Sequence, residues 1–587
     1  MRLHLAAVRF LSMYVGATVT TTACSSLFNL DQYTAPSARD AMTATSSAGE
    51  PDASGGDAAL EDAVSVEGAV PAEGASAECA TNAECTAQAT ADGPLDGGAF
   101  EGGQASLTDA APFTGMLAGG IIPAVCVGAS HKCSRLLTPD CPTLYGNYLN
   151  DDAILLGTLF TTSGTLATSN VSRQQAALLA AEEINSAGAG GGLPPLSAQG
   201  PPRPLVVLEC DPSQNAVRTA MHLVNDLHVP AIVGPSQAQD VIDITQQVSA
   251  KGGTLLISPT APASPITYLV DNGLTWRDVP SDDQRSKLVI EQINEIETML
   301  HVARGSMLKL GVVYRTDALG TSALQSISGK LNFNGHFLSD AANTTKVSLD
   351  HYDAANNVAA QTDIASHYAS FVPDIVFVTA QEQIADIVLP LERALAAANA
   401  PNRPYYICSD VAKVQALSAG VGAAGVPADF ASRVRGIGIR PDPDSVPVFA
   451  SFGTAFTSRY GANPRTSGMG SSYDAMYAIA YAIASVPSTT VTGATIAQGL
   501  SSLGGGVAVS VGQGQANLAL QTLAAGKPIA LRGTFSAMVW DAHGDIVGGT
   551  AEVWCIGTSG GTAAFASSGL TMDIATQVLS GTYVQCK

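Results

Sequence analysis

The chain has 587 residues, of which 46% are hydrophobic and 13% charged, with a formal net charge of −22. That length exceeds what one hydrophobic core supports, so at least two folded units are expected. The acidity excludes a nucleic-acid-binding protein, because no cluster of lysine and arginine is present to neutralise phosphates.

Residues 1–24 read as an export signal. Arg2 and Arg9 precede an apolar stretch over residues 10–19 that is too short to span a bilayer, and small residues then lead to Cys24. Thr21-Thr22-Ala23-Cys24 resembles a bacterial lipobox, which implies lipidation of Cys24, although Thr21 stands where leucine is usual. The alternative is an ordinary secretion signal cut nearby; both export the body to the periplasm or cell envelope. Residues 25–120 are rich in Ala, Gly, Ser and Thr, and between Asp31 and Asp109 fifteen acidic residues face one base, Arg39. Such a segment cannot repay the entropy of ordering, so a disordered acidic linker holding a small Cys pair is expected.

Ten cysteines agree with an oxidising compartment. Cys79, Cys85, Cys126, Cys133 and Cys141 precede the main body and read as a stapled element, with residues 121–151 a Cys-rich segment. A zinc site competes with that reading, but the spacings are wide for a zinc knuckle and no histidine pair joins them. Cys555 and Cys586 are expected to pair and tie down the C-terminus. The partners of Cys210 and Cys408 stay open, and an odd count after Cys24 leaves one cysteine over.

The folded core is expected from about Asp152. Residues 153–159 form an apolar strand, Ser163 and Gly164 lie in the turn after it, and a helix from about Arg173 to Asn185 buries Ala177, Ala180, Ala181 and Ile184. The run Leu205-Val206-Val207-Leu208 is a second strand, after which Asp211 is expected to cap a helix with Pro212 in its first turn. Strand Ala231-Ile232-Val233, a helix turning Val241, Ile244 and Val248 inward, and strand Leu255-Leu256-Ile257 follow. Strands alternating with helices at this spacing give a parallel sheet covered on both faces. Ligands of such sheets bind beyond the carboxyl ends of the strands, here at Ser236, Gln237 and Gln239 and at Thr260 and Ala261.

After Trp276-Arg277-Asp278-Val279-Pro280 the same pattern repeats. Strands are expected over residues 310–314, 374–379, 405–408 and 436–439, with Asp317, Gln381 and Asp410 in the turns at their carboxyl ends. Phe449, Phe452, Phe456 and Tyr460 lie at helical spacing, and Ser472-Tyr473-Asp474-Ala475-Met476-Tyr477 opens a long apolar helix. These aromatic rows read as core. Residues 533–545 read as a closing hairpin that crosses once more.

Cys210-Asp211-Pro212, then Ala-Ile-Val-Gly-Pro-Ser at 231–236, then Ile-Ser-Pro-Thr-Ala at 257–261, together with Tyr473-Asp474-Ala475, resemble the leucine/isoleucine/valine-binding branch of type I periplasmic binding proteins, the extracellular ligand-binding receptors. The resemblance covers about residues 152–560. It implies an α/β fold of two lobes, each a parallel sheet flanked by helices, joined by three hinge crossings. Lobe one is expected over residues 152–280 and 441–532, and lobe two over 281–440 and 533–587 with the C-terminal tail. It also implies a small polar ligand, an amino acid or related amide or peptide, in the inter-lobe cleft, and an ABC-type permease as partner. In that branch a hydroxyl and backbone N–H groups of lobe one hold the ligand carboxylate and an acid of lobe two holds its ammonium. By this correspondence Asp410 falls at the acid, Thr260 and Ala261 offer N–H groups, and Ser163, Ser236, Gln237, Gln239, Asp317 and Gln381 are further ligand-binding candidates. Three departures weaken the amino-acid assignment: Leu319 replaces an expected aromatic residue, Ala238 or Gln239 stands where a serine is usual, and Pro262 stands near a usual threonine.

No Gly-x-Ser-x-Gly elbow, His-Glu-x-x-His or Walker loop occurs, and the nine histidines are scattered. Neither an enzymatic activity nor a metal or other cofactor is therefore expected. A ligand-binding sensor or surface receptor without a transporter is the alternative to uptake, and a hydrolase a remote one.

Overall fold

The structure, a computed structural model, describes residues 79–94 and 115–587 apart from 129, 188–190, 198–199, 354–357, 381–382, 464, 487–489 and 560–561. The expectations for Cys24 and the export signal, for Gln381, and for most of the acidic linker lie outside these residues.

Two large sheets carry the architecture, and each has an apolar core on both faces. The first has the strand order Thr143–Tyr145, Leu205–Cys210, Ile154–Leu159, Ala231–Val233, Leu255–Ser258 and Thr275–Arg277, parallel except for its first strand. The second has the order Val347–Tyr352, Leu310–Arg315, Ile375–Thr379, Tyr405–Cys408 and Val434–Arg440, all parallel, then the antiparallel strands Thr550–Ser559, Thr562–Asp573 and Leu579–Ser580. The parallel strands of both sheets follow one plan: the second strand lies outside the first, and the third starts the run on its other side. The order thus reverses between Ile154–Leu159 and Ala231–Val233, and again between Leu310–Arg315 and Ile375–Thr379. A crevice opens at the carboxyl ends of the strands at such a reversal.

The strands are nearly continuous apolar runs because both faces are covered. Leu205, Val206, Val207 and Leu208 are all buried, as are Leu255, Leu256 and Ile257. The helix Met469–Ser485 is hydrophobic around its whole circumference, and every residue from Met469 to Ala484 is buried. It packs on the helix Ala167–Asn185. Phe452 and Tyr473 pack at a tilt with ring centroids 4.8 Å apart, and Tyr473 and Tyr477 edge to face at 5.0 Å. Both tyrosine hydroxyls donate to Glu183 Oε2, Tyr477 at 2.6 Å. The aromatic rows are core.

The backbone passes between the layers three times. After Arg277 it enters the helix Asp282–Arg304, whose start is fixed by a Ser281–Gln284 capping box. After Arg440 it returns to the helix Val446–Tyr460, which buries Phe452 and Phe456 in the first core. The third pass lies later than residue 533. Met538 belongs to the first core, Trp276 and Trp540 pack edge to face at 5.6 Å, and Arg277, wholly buried, is clamped by Asp545 (Nε to Oδ1 2.5 Å, Nη2 to Oδ2 2.9 Å). This buried ion pair holds the hairpin to the first sheet, so the chain crosses only between Ile546 and Thr550.

Two local expectations change. The helix after Cys210 begins at Ala216, capped by Asn215, whose side chain accepts from Arg218 N at 2.9 Å; Asp211 instead closes a tight turn onto Ser213 N. The first lobe also begins before residue 152, because Thr143–Tyr145 pairs antiparallel with Leu205–Cys210 and Cys141 is bonded to Cys210. Upstream, residues 79–94 are folded. Cys79–Cys126 and Cys85–Cys133 staple the helix Asn82–Asp92 to a hairpin of Ala124–Val127 and Lys132–Arg135. The thiols of Cys79, Cys85 and Cys133 lie close together, but all three are consumed in disulfides. Cys555–Cys586 is bonded, and among the described residues Cys408 is the one free thiol, buried. Among the described residues no helix is long and apolar enough to cross a membrane. Four disulfides belong to an oxidising, extracytoplasmic compartment.

Candidate functional site

The turns at the carboxyl ends of the two sheets face each other, and they meet in two different ways. On one side they touch. Ala318 of the second lobe packs with Ala238, Val241, Ala261, Ala263 and Ile266 of the first, and Ser264 N donates to Ser322 Oγ at 2.8 Å. On the other side they stay apart around a cavity of about 390 Å³. Its first-lobe wall is Thr165, Thr168, Ser169, Arg173, Pro259 and Thr260, with Arg465, Thr466, Ser467 and Gly468. Asp410, Lys413, Val414 and Gln415 stand opposite, and Val279 and Ile439, from two of the crossings, close the back.

The first-lobe wall is built by a helix start. Gly164–Leu166 forms one 3₁₀ turn that runs into Ala167–Asn185, and neither start carries a side-chain cap or an acidic residue in its first turn. Ala167 N–H is bonded back to Gly164 O, and the positive end of the helix dipole lies at the residues that line the cavity. One turn further on, Arg173 is 6% exposed; its Nε donates to Ser467 O at 2.8 Å and its Nη1 to Asn170 Oδ1 at 2.8 Å. Gly468 allows this approach: a Cβ there would lie 2.1 Å from Thr260 Cγ2 and 3.1 Å from Arg173 Nε, and its φ is +85°.

Two of the sequence-nominated residues line this cavity. Thr260 does, with its hydroxyl donating to Ser236 O at 2.9 Å. Asp410 does as well, but its charge is already engaged: Arg285 Nη1 reaches Asp410 Oδ2 at 2.5 Å, while Arg285 Nη2 holds Asp282 Oδ1 at 2.9 Å. Burial pushes the Asp282 carboxyl up to about 6, against the pull of Arg285 and of the Ser322 hydroxyl. The other candidates are placed elsewhere. The Ala261 amide is taken by Ser258 Oγ at 3.2 Å, and the residue is wholly buried. Ser236 Oγ is buried without a hydrogen-bond partner among the described residues. Gln237 precedes the helix Ala238–Ile244 without capping it, and Gln239 donates to Asp243 at 3.0 Å within that helix. Ser163 pairs with Ser213 at 2.8 Å between their hydroxyls, at the surface. Asp317 caps the helix Ala318–Ser328 through Gly320 N at 3.2 Å and is ion-paired with Arg315.

Residue types alone did not single out Thr165, Thr168, Ser169, Arg173, Lys413, Gln415 or the stretch 465–468. A helix drawn from Arg173 puts that arginine at its tip. The real start at Ala167 carries Arg173 round to the cleft. A Thr-Leu-Ala-Thr-Ser run ahead of an apolar face was the available signal for the earlier start.

Two doubly wound sheets of one plan, three crossings and a polar cavity between their carboxyl-end turns define a two-lobed type I periplasmic binding protein fold. No family model and no curated protein matches the chain. Solved structures are similar to it. The branched-chain amino acid transporter substrate-binding protein LivJ of Streptococcus pneumoniae, in complex with isoleucine, is 17% identical; the match covers 71% of this chain and 99% of that one, with a TM-score of 0.49. An ABC-transporter solute-binding protein of R. palustris, in complex with benzoate, is 16% identical, with 74% and 99% covered and a TM-score of 0.48. A type 1 periplasmic binding protein of Bordetella pertussis is 15% identical, with 71% and 100% covered and a TM-score of 0.47.

Proposed function

We propose that the chain is an extracytoplasmic solute-binding protein that captures a small polar molecule between its lobes and presents the closed form to a membrane permease of the ABC type. The observation that carries this reading is the cavity itself, lined from both lobes at the carboxyl ends of two sheets that follow one plan, with Val279 and Ile439 of the crossings at its back. Closure about those crossings buries the ligand and changes the surface offered to a partner. An amino acid, or a related amide or peptide, fits the volume, and its carboxylate suits the positive dipole end of the helical run that starts at Gly164, which has no acidic residue in its first turn. Lipidation at Cys24 would hold the body at the membrane by an anchor only.

The test is a thermal-shift screen of the purified exported chain against amino acids, amides, short peptides and organic acids, since a solute that binds only the folded state raises the melting temperature by mass action. At 100 times its Kd a ligand adds about 2.7 kcal/mol. If no class raises the melting temperature at millimolar concentration, the binding role is lost. Disrupting the genes for a neighbouring permease, followed by uptake of the identified solute, separates transport from sensing.

A further inference from the structure

We infer that the cleft selects a small organic anion with acidic groups at both ends, such as a dicarboxylate, over a zwitterionic amino acid; this rests on the solute-binding reading and names its substrate class. Recognising a zwitterion takes one wall that attracts a carboxylate and an opposite wall with an acid available to an ammonium. The first is present, and the second is not. Asp410 is the single acid lining the cavity among the described residues, and Arg285 already occupies it at 2.5 Å. That arginine is itself fixed, 5% exposed at the side chain and held also by Asp282 at 2.9 Å, so the pair is internal structure of the second lobe. An ammonium approaching Asp410 would meet the guanidinium as well.

The remaining charged groups of the cavity are cations, and they come from both lobes. Arg173 and Arg465 belong to the first-lobe wall and Lys413 to the second. Lys413 is 3.4 Å from Glu552 and keeps a third of its side chain exposed, a long contact that leaves its other ammonium protons for a second acceptor. Among the described residues no carboxylate pairs with Arg465, which is exposed on a turn held by its own N–H to Asn463 Oδ1 at 2.9 Å. Hydroxyls of Thr165, Thr168, Ser169, Thr466 and Ser467 line the same cavity, and the helical start there, with no acidic residue in its first turn, adds the positive end of its dipole on the same side. No aromatic ring lines the cavity among the described residues, so a ring has no stacking surface there. A compact aliphatic molecule with acceptor oxygens at each end would touch cations of both lobes and draw them together.

Isothermal titration of the full exported chain at 20 mM and 300 mM NaCl with succinate, malate, leucine, acetamide and putrescine tests this. Saturable binding of succinate or malate is expected, weakened at least fivefold by the higher salt, with no response to putrescine. Arg465→Asn, which keeps a residue tolerant of the positive φ of 53° at that exposed turn, should lower the affinity at least tenfold without moving the melting temperature of the unliganded protein. Lys413→Gln is the second variant, reporting from the opposite lobe. Binding of leucine, acetamide or putrescine without binding of either dicarboxylate overturns the inference and leaves the solute-binding function standing. Dicarboxylate binding indifferent to salt and to both variants also overturns it, because the cations would then play no part. Should none of the five bind, the dicarboxylate assignment falls, and the solute-binding reading is decided by the wider thermal-shift screen.

Discussion

Asp410 separates the role of a residue as legible in a sequence from the role its neighbours assign it. Its position after the strand Tyr405–Cys408 is visible in the sequence, and it does line the cleft. Its partner is not, because Arg285 lies 125 residues away in sequence. Breaking a buried ion pair by removing one member leaves the other charge uncompensated at a cost of about 3–5 kcal/mol. Asp410→Ala should accordingly destabilise the protein on that scale in urea unfolding, while the bound anion is retained by the folded fraction. An unchanged urea midpoint would show that the pair is not structural and return Asp410 to the ligand. Thr260 could be found from its motif because a hydroxyl after a strand end is a local feature. Ala261, one residue on, was nominated for an N–H that a neighbouring side chain takes up, and sequence spacing carries no record of such competition.

At the scale of elements the alternation of strands and helices was legible because both faces of each sheet are covered, which turns every strand into a short apolar run. Boundaries were less so. The helix before Asn185 gained nearly two turns, and a short edge strand at Thr143–Tyr145 went unseen, because three residues carry too little pattern to register. The Gly-Ile-Gly-Ile strand is a case where residue type reflects an element's partner. Gly436 lies opposite Trp554 in the antiparallel pair, and a Cβ there would come within 1.9 Å of the indole ring. Trp554 is wholly buried, donates Nε1 to Ile437 O at 3.2 Å and packs edge to face on Phe565. The glycine is there to admit the tryptophan across the strand. Gly436→Ala should cost about 1–3 kcal/mol through overpacking, read as a lowered melting temperature, and the double change Gly436→Ala with Trp554→Phe should recover part of it. A single variant as stable as the parent would mean that the strand and ring yield without penalty.

The two-lobed plan of the whole molecule was legible from its repetition along the chain, whereas the meeting point of the crossings was not. Asp278 in the first crossing, Ile439 and Arg440 in the second, and Ile546, Gly548, Gly549 and Thr550 in the third line one small cavity with Pro280, Phe535 and Ser536. Asp278 has a second neighbour in the fully enclosed Asp474 of the central helix, whose Oδ2 accepts from Thr534 N and Thr534 Oγ1, both at 2.7 Å. Asp278 Oδ2 and Asp474 Oδ1 are buried without hydrogen-bond partners among the described residues. Burial, with the charge of Asp474, drives Asp278 well above the ordinary carboxylate range, and burial pushes Asp474 up to about 7 against its bonds from Thr534. A carboxyl with a raised folded value keeps a proton that the unfolded chain releases. Its stabilisation is complete below the unfolded value near 4 and fades as pH rises through the folded one. Stability should therefore fall as pH rises from 5 to 8. Asp474→Asn, which supplies a neutral acceptor for Thr534, should flatten the slope of melting temperature against pH over that window. Equal slopes in parent and variant would remove these carboxyls as the cause. Because one of the pair lies in a crossing and the other inside the first lobe, ionisation of both at higher pH sets a charge repulsion between the hinge and a rigid element.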